Sequence, residues 1–268
     1  MIKDITIGQY FPGESVIHRL DPRTKILLTI FYVVVLFAIQ TMWGFLAAAV
    51  YMLSIILLSG ISFKTVLKSV KPLAFIIVFT AVFNMIYAGG TPIFAEVNWL
   101  KWLTYDGVRR AAFMAIRIIL LVMGTSFMTY TTSPIMLTGA MESLLSPLKL
   151  VKAPVHELSM MMTIALRFIP TLVDETDKIM NAQKARGADF ETGNIFRRAK
   201  ALIPILVPLL ISAFRRAEEL ADAMECRCYN GGDGRTKYKI YHFALRDLWA
   251  MLVSLLLLAA VILLNVLL

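Results

Sequence analysis

The chain has 268 residues, of which 59% are hydrophobic and only 17% charged. Soluble globular proteins are roughly 45–50% apolar and about 25% charged, so a soluble domain is not expected here. The apolar excess gathers in runs too long for core helices, which points to an all-α polytopic membrane protein. The formal net charge of +9 fits cationic cytoplasmic loops rather than a nucleic-acid partner.

Residues 1–24 contain Gly8, Pro12, Gly13 and Pro22 and read as a turn-rich arm. They lack the basic-then-apolar order and small-residue cleavage site of a signal peptide, so no cleavage is expected. The first apolar run follows Lys25 and reaches about Gln40; the second spans Phe45 to Leu58. A third runs from Pro72 to Tyr87, a fourth from about Val108 to Tyr130, and a last from Leu248 to Leu268. Five spans are thus predicted. Trp99, Trp102 and Tyr105, between the third and fourth, are amphipathic rings suited to a membrane–water interface.

Loop cations set the orientation. Arg19, Arg23 and Lys25 precede the first span, and Lys64, Lys68 and Lys71 precede the third, which places those sides in the cytoplasm. Segment 88–107 carries Lys101 against Glu96 and Asp106, as an outer loop should. The N-terminus is expected inside and, after five crossings, the C-terminus outside. Arg109 and Arg110 oppose this pattern and are expected to snorkel to the interface. Arg117 lies deeper, where an arginine either serves function or pairs with a neighbouring helix.

Four regions result: an arm at 1–24, a four-helix membrane region at 25–130, a cytoplasmic or interfacial region at 131–247, and a final membrane helix at 248–268. The third interleaves charge with apolar residues at helical spacing. Pro134 and Pro154 suit first-turn helix positions. Residues 154–186 read as one long amphipathic helix with a bend near Pro170. A second helix is expected over roughly 200–229. Its apolar start, ALIPILVPLLISAF, would be about 21 Å long, too short to span a hydrocarbon core of about 30 Å. The two helices echo one another: each passes from apolar residues around a proline to charge, and ends on an arginine between small residues. The proline-to-arginine offsets differ, so no strict repeat is present.

Familiar chemistry is missing. His156-Glu157 opens like a zinc-protease helix, but position 160 is Met, so the second histidine is absent. His18 and His242 flank membrane segments and read as structural. Cys226 and Cys228, one residue apart, read as free thiols of a reducing compartment, with no further cysteine to complete a zinc site. There is no GxxxxGK[ST] phosphate loop, and Asp and Glu are nearly absent from the five runs. A self-contained ion-coupled carrier normally needs such groups at midplane, so the energy must come from elsewhere.

Taken alone, Arg186 with Gly187 is an ordinary helix C-terminus, with the cation favouring the dipole. Its recurrence at Arg227 points instead to a docking device, since an arginine at a helix tip can enter a partner's acidic groove and be held bidentately.

These residues carry a resemblance. His18-Arg19-Leu20-Asp21-Pro22-Arg23-Thr24-Lys25 is similar to the opening motif of the transmembrane T component of energy-coupling factor (ECF) transporters. Ala182-Gln183-Lys184-Ala185-Arg186-Gly187 resembles the first of that family's two arginine signatures. Ala223-Met224-Glu225-Cys226-Arg227-Cys228-Tyr229, with the tail Gly231-Gly232-Asp233-Gly234-Arg235-Thr236, resembles the second. The order and placement of all three match across nearly the whole chain. One departure is that the second signature is commonly Ala-Arg-Gly and here is Cys226-Arg227-Cys228.

The resemblance implies a non-catalytic scaffold in the cell membrane that couples two ABC-type ATPases, a heterodimer, to a small substrate-binding membrane protein, the S component. It binds no cofactor itself; ATP and magnesium belong to the ATPases. By the same resemblance Ala185, Arg186, Gly187, Cys226, Arg227 and Cys228 would dock into the ATPases, and Asp21, Pro22 and Arg23 form the N-terminal family motif. Pro204, Pro208 and Phe214 would face the S component. Met160, Met161 and Met162, otherwise core filler, would suit a surface that re-packs against several partners. The tail looks more like the shared, vitamin-serving type than a dedicated cobalt or nickel component. The reading from another class is a self-sufficient secondary transporter or channel, with Arg117 and Asn84 the residues to test.

Overall fold

The computed structural model describes residues 10–87, 104–151, 154–190, 194–231 and 241–267. Trp99, Trp102 and the tail from Gly232 to Thr236 lie outside them. The helices are α1 (Pro22–Ala38), α2 (Met42–Ser59), α3 (Phe63–Lys68), α4 (Ala74–Tyr87), α5 (Tyr105–Thr131), α6 (Pro134–Leu144), α7 (Val155–Ala185), α8 (Ile195–Glu225) and α9 (Leu245–Leu267). The protein is an all-α polytopic membrane protein.

Among the described residues, four segments are long and apolar enough to cross a membrane: Met42–Ser59, Phe63–Tyr87, Tyr105–Thr131 and Leu245–Val266. The first predicted run folds as the 17-residue α1. It starts earlier than the apolar run, at Pro22, because Asp21 accepts the Arg23 N–H at 2.8 Å and Pro22 sits in the first turn, and it ends at Ala38, two residues before Gln40. The third predicted run is extended backwards by α3 and a helical turn at Lys71–Leu73. Pro134 begins α6, as predicted. Pro154 instead precedes α7 as its N-cap.

The chain forms two compact units. One comprises Gly8–Ala140 with Ile240–Leu268, the other Met141–Lys239. In the first, α1, α2, α5 and α9 share a core of Tyr32, Val35, Leu36 and Ile39 with Phe45, Ala48, Leu120, Leu257 and Val261. A second cluster joins Met52 and Ile56 to Val66, Met123, Phe127 and Tyr130. Gly124 makes the α1–α5 approach possible, because a Cβ there would clash with the Tyr32 ring. Outward faces stay apolar: Leu27, Ile30, Val34 and Phe37 of α1 are all exposed, as lipid-facing residues are.

Both ends of α1 are tied to α5 and α9. At its start, the Asp21 N–H donates to Asp247 Oδ1 at 2.9 Å, and Asp247 Oδ2 accepts the Ala244 N–H at 2.9 Å. The buried Lys25 ammonium donates to the Thr131 carbonyl at 2.9 Å and to that of His18 at 3.2 Å. With Phe11, whose N–H reaches the Tyr130 carbonyl at 2.9 Å, Lys25 satisfies the end of α5, which lacks a left-handed cap. At the far end of α1, Arg117 Nη2 donates to the Ile39 carbonyl at 2.7 Å and Asn265 Nδ2 to that of Ala38 at 2.8 Å. The Arg117 guanidinium also lies over Phe45 and Phe37, at 5.5 and 5.9 Å from the ring centres. Arg117 thus pairs with the end of a neighbouring helix, one of the two expectations for it.

Candidate functional site

The two arginine-ended helices lie in the second unit. At the end of α7 the Ala188 N–H bonds the Gln183 carbonyl at 3.0 Å and the Gly187 N–H bonds that of Lys184 at 2.9 Å. Gly187 has φ +86°. This pair of bonds around a left-handed residue is a Schellman cap. At the end of α8 the Tyr229 N–H bonds the Met224 carbonyl at 3.0 Å and the Cys228 N–H bonds that of Glu225 at 2.8 Å. Cys228 has φ +56°, so it occupies the position of Gly187.

The likeness between Ala185-Arg186-Gly187 and Cys226-Arg227-Cys228 is therefore one of backbone as well as sequence. Each arginine is the last residue before the chain turns left-handed, where its cation also favours the helix dipole. The departure from Ala-Arg-Gly makes Cys228 the one non-glycine residue at positive φ among the described residues. Cys226 and Cys228 are exposed free thiols, as their spacing predicts. Arg186 and Arg227 are both exposed.

A contact unanticipated from the sequence joins the helices. The Ser212 hydroxyl donates to Glu175 Oε1 at 2.6 Å, and Arg216 Nη2 donates to Glu175 Oε2 at 2.9 Å. Ser212 and Arg216 are one turn apart on α8, so one carboxylate on α7 engages one face of its neighbour. The Ser212 hydrogen bond, aided by the Arg216 charge, holds the Glu175 carboxyl below the usual glutamate range. Aligning the helices on their arginines would have exposed this pair: Glu175 and Arg216 stand at equivalent positions with opposite charge. Alignment on the prolines hides it.

The contact also sets the direction of the helices. Ala188 is still bonded to the end of α7, so seven steps carry the chain to Ile195, at most about 25 Å. A parallel pair crossing at Glu175 would need about 45 Å, given the lengths on either side. The helices thus run in opposing senses and their arginine ends point apart, on the order of 30 Å from one another by the same helical rise. The structure does not bring the two arginine motifs together.

Phe214 is 62% exposed, with Leu202, Leu206 and Leu210 exposed one turn apart before it. Pro204 is exposed and Pro208 half-buried. Both lie within a continuous α8. Pro170 is likewise within α7. Met161 and Met162 are exposed and Met160 half-buried, so core filling does not account for the first two. Glu142 Oε1 meets His156 Nδ1 at 3.2 Å and Glu142 Oε2 accepts from the Ser159 hydroxyl at 3.4 Å, joining α6 to α7. In the other unit, Asp21 and Pro22 of the N-terminal motif form the start of α1, and Arg23 lies 5.9 Å from the centre of the Tyr241 ring.

The family model described as CbiQ, cobalt transport protein, matches residues 13–238. A curated protein of Ruminiclostridium cellulolyticum named energy-coupling factor transporter transmembrane protein EcfT is 54% identical, covering 92% of each chain. One of the same name from Thermosediminibacter oceani is 53% identical over 94% of this chain and 95% of its own. The Bacillus subtilis protein of that name is 43% identical over 98% of both.

Proposed function

The chain belongs to the energy-coupling factor transporter transmembrane protein (EcfT) family, and we infer that it is the non-catalytic scaffold through which two ABC-type ATPases drive an S component. The observation that carries this reading is the pair of matched caps. Arg186 and Arg227 stand at the same cap position of two helices whose ends point apart. Such a spacing suits two separate acidic grooves, one on each ATPase, better than a single pocket.

Each arginine would be held in its groove by charge-assisted, bidentate hydrogen bonds. Closure of the ATPases on ATP and magnesium would displace the tips. The Glu175 contact with Ser212 and Arg216 would turn those displacements into a joint movement of α7 and α8. The exposed faces containing Phe214, Pro204 and Pro208, and Met160, Met161 and Met162, would then tilt or release the S component. The cargo would be a vitamin or other micronutrient, taken up across the cell membrane with the N-terminus of this chain inside and the C-terminus outside. The chain itself would bind neither nucleotide nor cargo.

The test is a detergent pull-down of tagged protein from native membranes, with wild type beside an Arg186→Glu, Arg227→Glu double variant. Two ATPases should accompany wild type and be lost from the variant. Wild type that emerges alone and transports a solute in liposomes without ATP would overturn the scaffold. A dedicated cobalt or nickel component is the second reading, favoured by the description of the matching family model. Uptake of radiolabelled cobalt that depends on this chain would select it.

A further inference from the structure

We propose that the cavity enclosed by α1, α2, α5, α9 and the arm before α1 is a binding site for an anionic lipid, holding an acyl chain among the helices and its head beside Lys25 and Arg246. The cavity measures about 390 Å³, within the range of small-molecule sites. Leu20, Leu28, Met52, Ile55, Phe127 and Met128 give it apolar walls. Away from Lys25 and Arg246 these walls offer water few hydrogen-bond partners. Its rim includes Leu58, Trp249 and Val253, all exposed residues of membrane-crossing helices. Its natural occupant is therefore hydrocarbon from the bilayer.

The polar groups of the lining separate by depth. Lys25 and Arg246 mark the end where α1 and α9 begin, a place fixed by the bond from Asp21 to Asp247. Tyr32 and Tyr51 lie at the other end, about 11 Å further along the helices. Their hydroxyls are committed, Tyr32 to the Leu120 carbonyl and Tyr51 to the Ser254 hydroxyl. The cations are not. Lys25 uses two of its three N–H groups on carbonyls. Arg246 is exposed and, among the described residues, its side chain has no hydrogen-bond or ion-pair partner. Of the nearby carboxylates, Asp247 accepts the Asp21 and Ala244 N–H groups and Asp21 Oδ1 accepts that of Arg23, while the buried Asp21 Oδ2 has no hydrogen-bond partner among the described residues; both carboxylates lie close enough to Lys25 to act on its charge, which leaves Arg246 as the unopposed cation. A hydrocarbon slot with two cations and an interfacial tryptophan at one end matches an acyl chain carrying a negative head.

The test places the full chain in nanodiscs of equal phosphatidylglycerol and phosphatidylcholine with the same acyl chains. It then extracts the chain into mild detergent and counts retained lipids by native mass spectrometry. Wild type should keep one lipid per chain, with phosphatidylglycerol favoured about tenfold, a difference that one charge-assisted contact can supply. Arg246→Gln should bring the two lipids close to parity. Ala250→Trp, which fills the cavity, should retain none. If that variant does not elute as a folded protein, Val253→Trp at the rim gives the same reading. Preferential retention of oleate, added in a parallel arm, would support the same chemistry with a free fatty acid as its source. Equal retention of both phospholipids by wild type, or undiminished retention by folded cavity-filling variants, would overturn the proposal.

Discussion

Glu175 of α7 and Arg216 of α8 meet at 2.9 Å, and each stands eleven residues before the arginine that closes its helix, Arg186 and Arg227. Eleven residues are about three helical turns, so contact and tip share a face on both helices. A movement imposed on either tip therefore reaches the contact through a stiff element of equal length.

Removing that contact should loosen the tips before it unfolds anything. Spin labels at Ala188→Cys and at the native Cys228, in a Cys226→Ser background, should report a narrow distance distribution in the parent. Glu175→Ala should broaden it, Arg216→Met should broaden it less, and the double variant should add little, because both act on one interaction. In an assembled transporter, uptake per ATP hydrolysed should fall in the same order while the ATPases still co-purify. An unchanged distribution in Glu175→Ala would show that apolar packing alone holds the helices together.

The same pair has a pH signature. The Ser212 hydroxyl, and after it Arg216, hold the folded Glu175 carboxyl below its ordinary value, about 4.3 in an unfolded chain. The contribution is therefore fully present above that value and is lost as pH falls through the lower folded one. Label distances should stay constant from neutral pH to about pH 5 and broaden only in stronger acid. Glu175→Gln should remove this step. Broadening already at neutral pH would show that the contact does not depend on the Glu175 charge.

The two caps differ in cost. Gly187 reaches φ +86° freely, whereas Cys228 at φ +56° carries a Cβ into a region disfavoured by about 1 kcal/mol. Cys228→Gly should slow amide exchange at Cys228 and Tyr229 about fivefold, or close to 1 kcal/mol. Gly187→Cys should speed it at Gly187 and Ala188 by a similar factor. If Cys228→Gly instead weakens ATPase co-purification without loosening the cap, the thiol itself contributes to the docking surface.

The class of protein and most helix positions were legible in the sequence, because hydropathy and caps are local signals. Met42–Ser59 and Val155–Ala185 end within a few residues of where apolar runs, Gly60 and Gly187 place them. The interactions that organise those helices were not legible, because they join residues far apart in the chain. Nothing local marks Arg117 as the group that closes α1 through Ile39, or Lys25 as the one that closes α5 through Thr131. The arginine ends were read correctly as helix ends, but the opposing directions of α7 and α8 required the Glu175 contact. The cavity beside Tyr32 was invisible for a related reason: it is a space left between four helices, and no residue pattern encodes it.

Asp247 supplies the most demanding test of the membrane unit. It is 2% exposed and accepts the backbone N–H groups of both Asp21 and Ala244, so it joins the opening motif at Asp21, Pro22 and Arg23 to the start of α9. Asp247→Ala leaves two N–H groups unpaired in a buried site and removes a negative charge beside Lys25. The expected loss is about 3 kcal/mol or more. Asp247→Asn keeps one acceptor oxygen and should lose about half as much. Asp106→Ala, an acid in the first turn of α5, serves as the control and should cost only a few tenths of a kcal/mol through the helix dipole. Thermal unfolding in detergent would rank the three. If Asp247→Ala melted with the control, the contact between the opening motif and α9 would be incidental to stability. The motif's role would then have to lie in what Arg23 presents beside Tyr241.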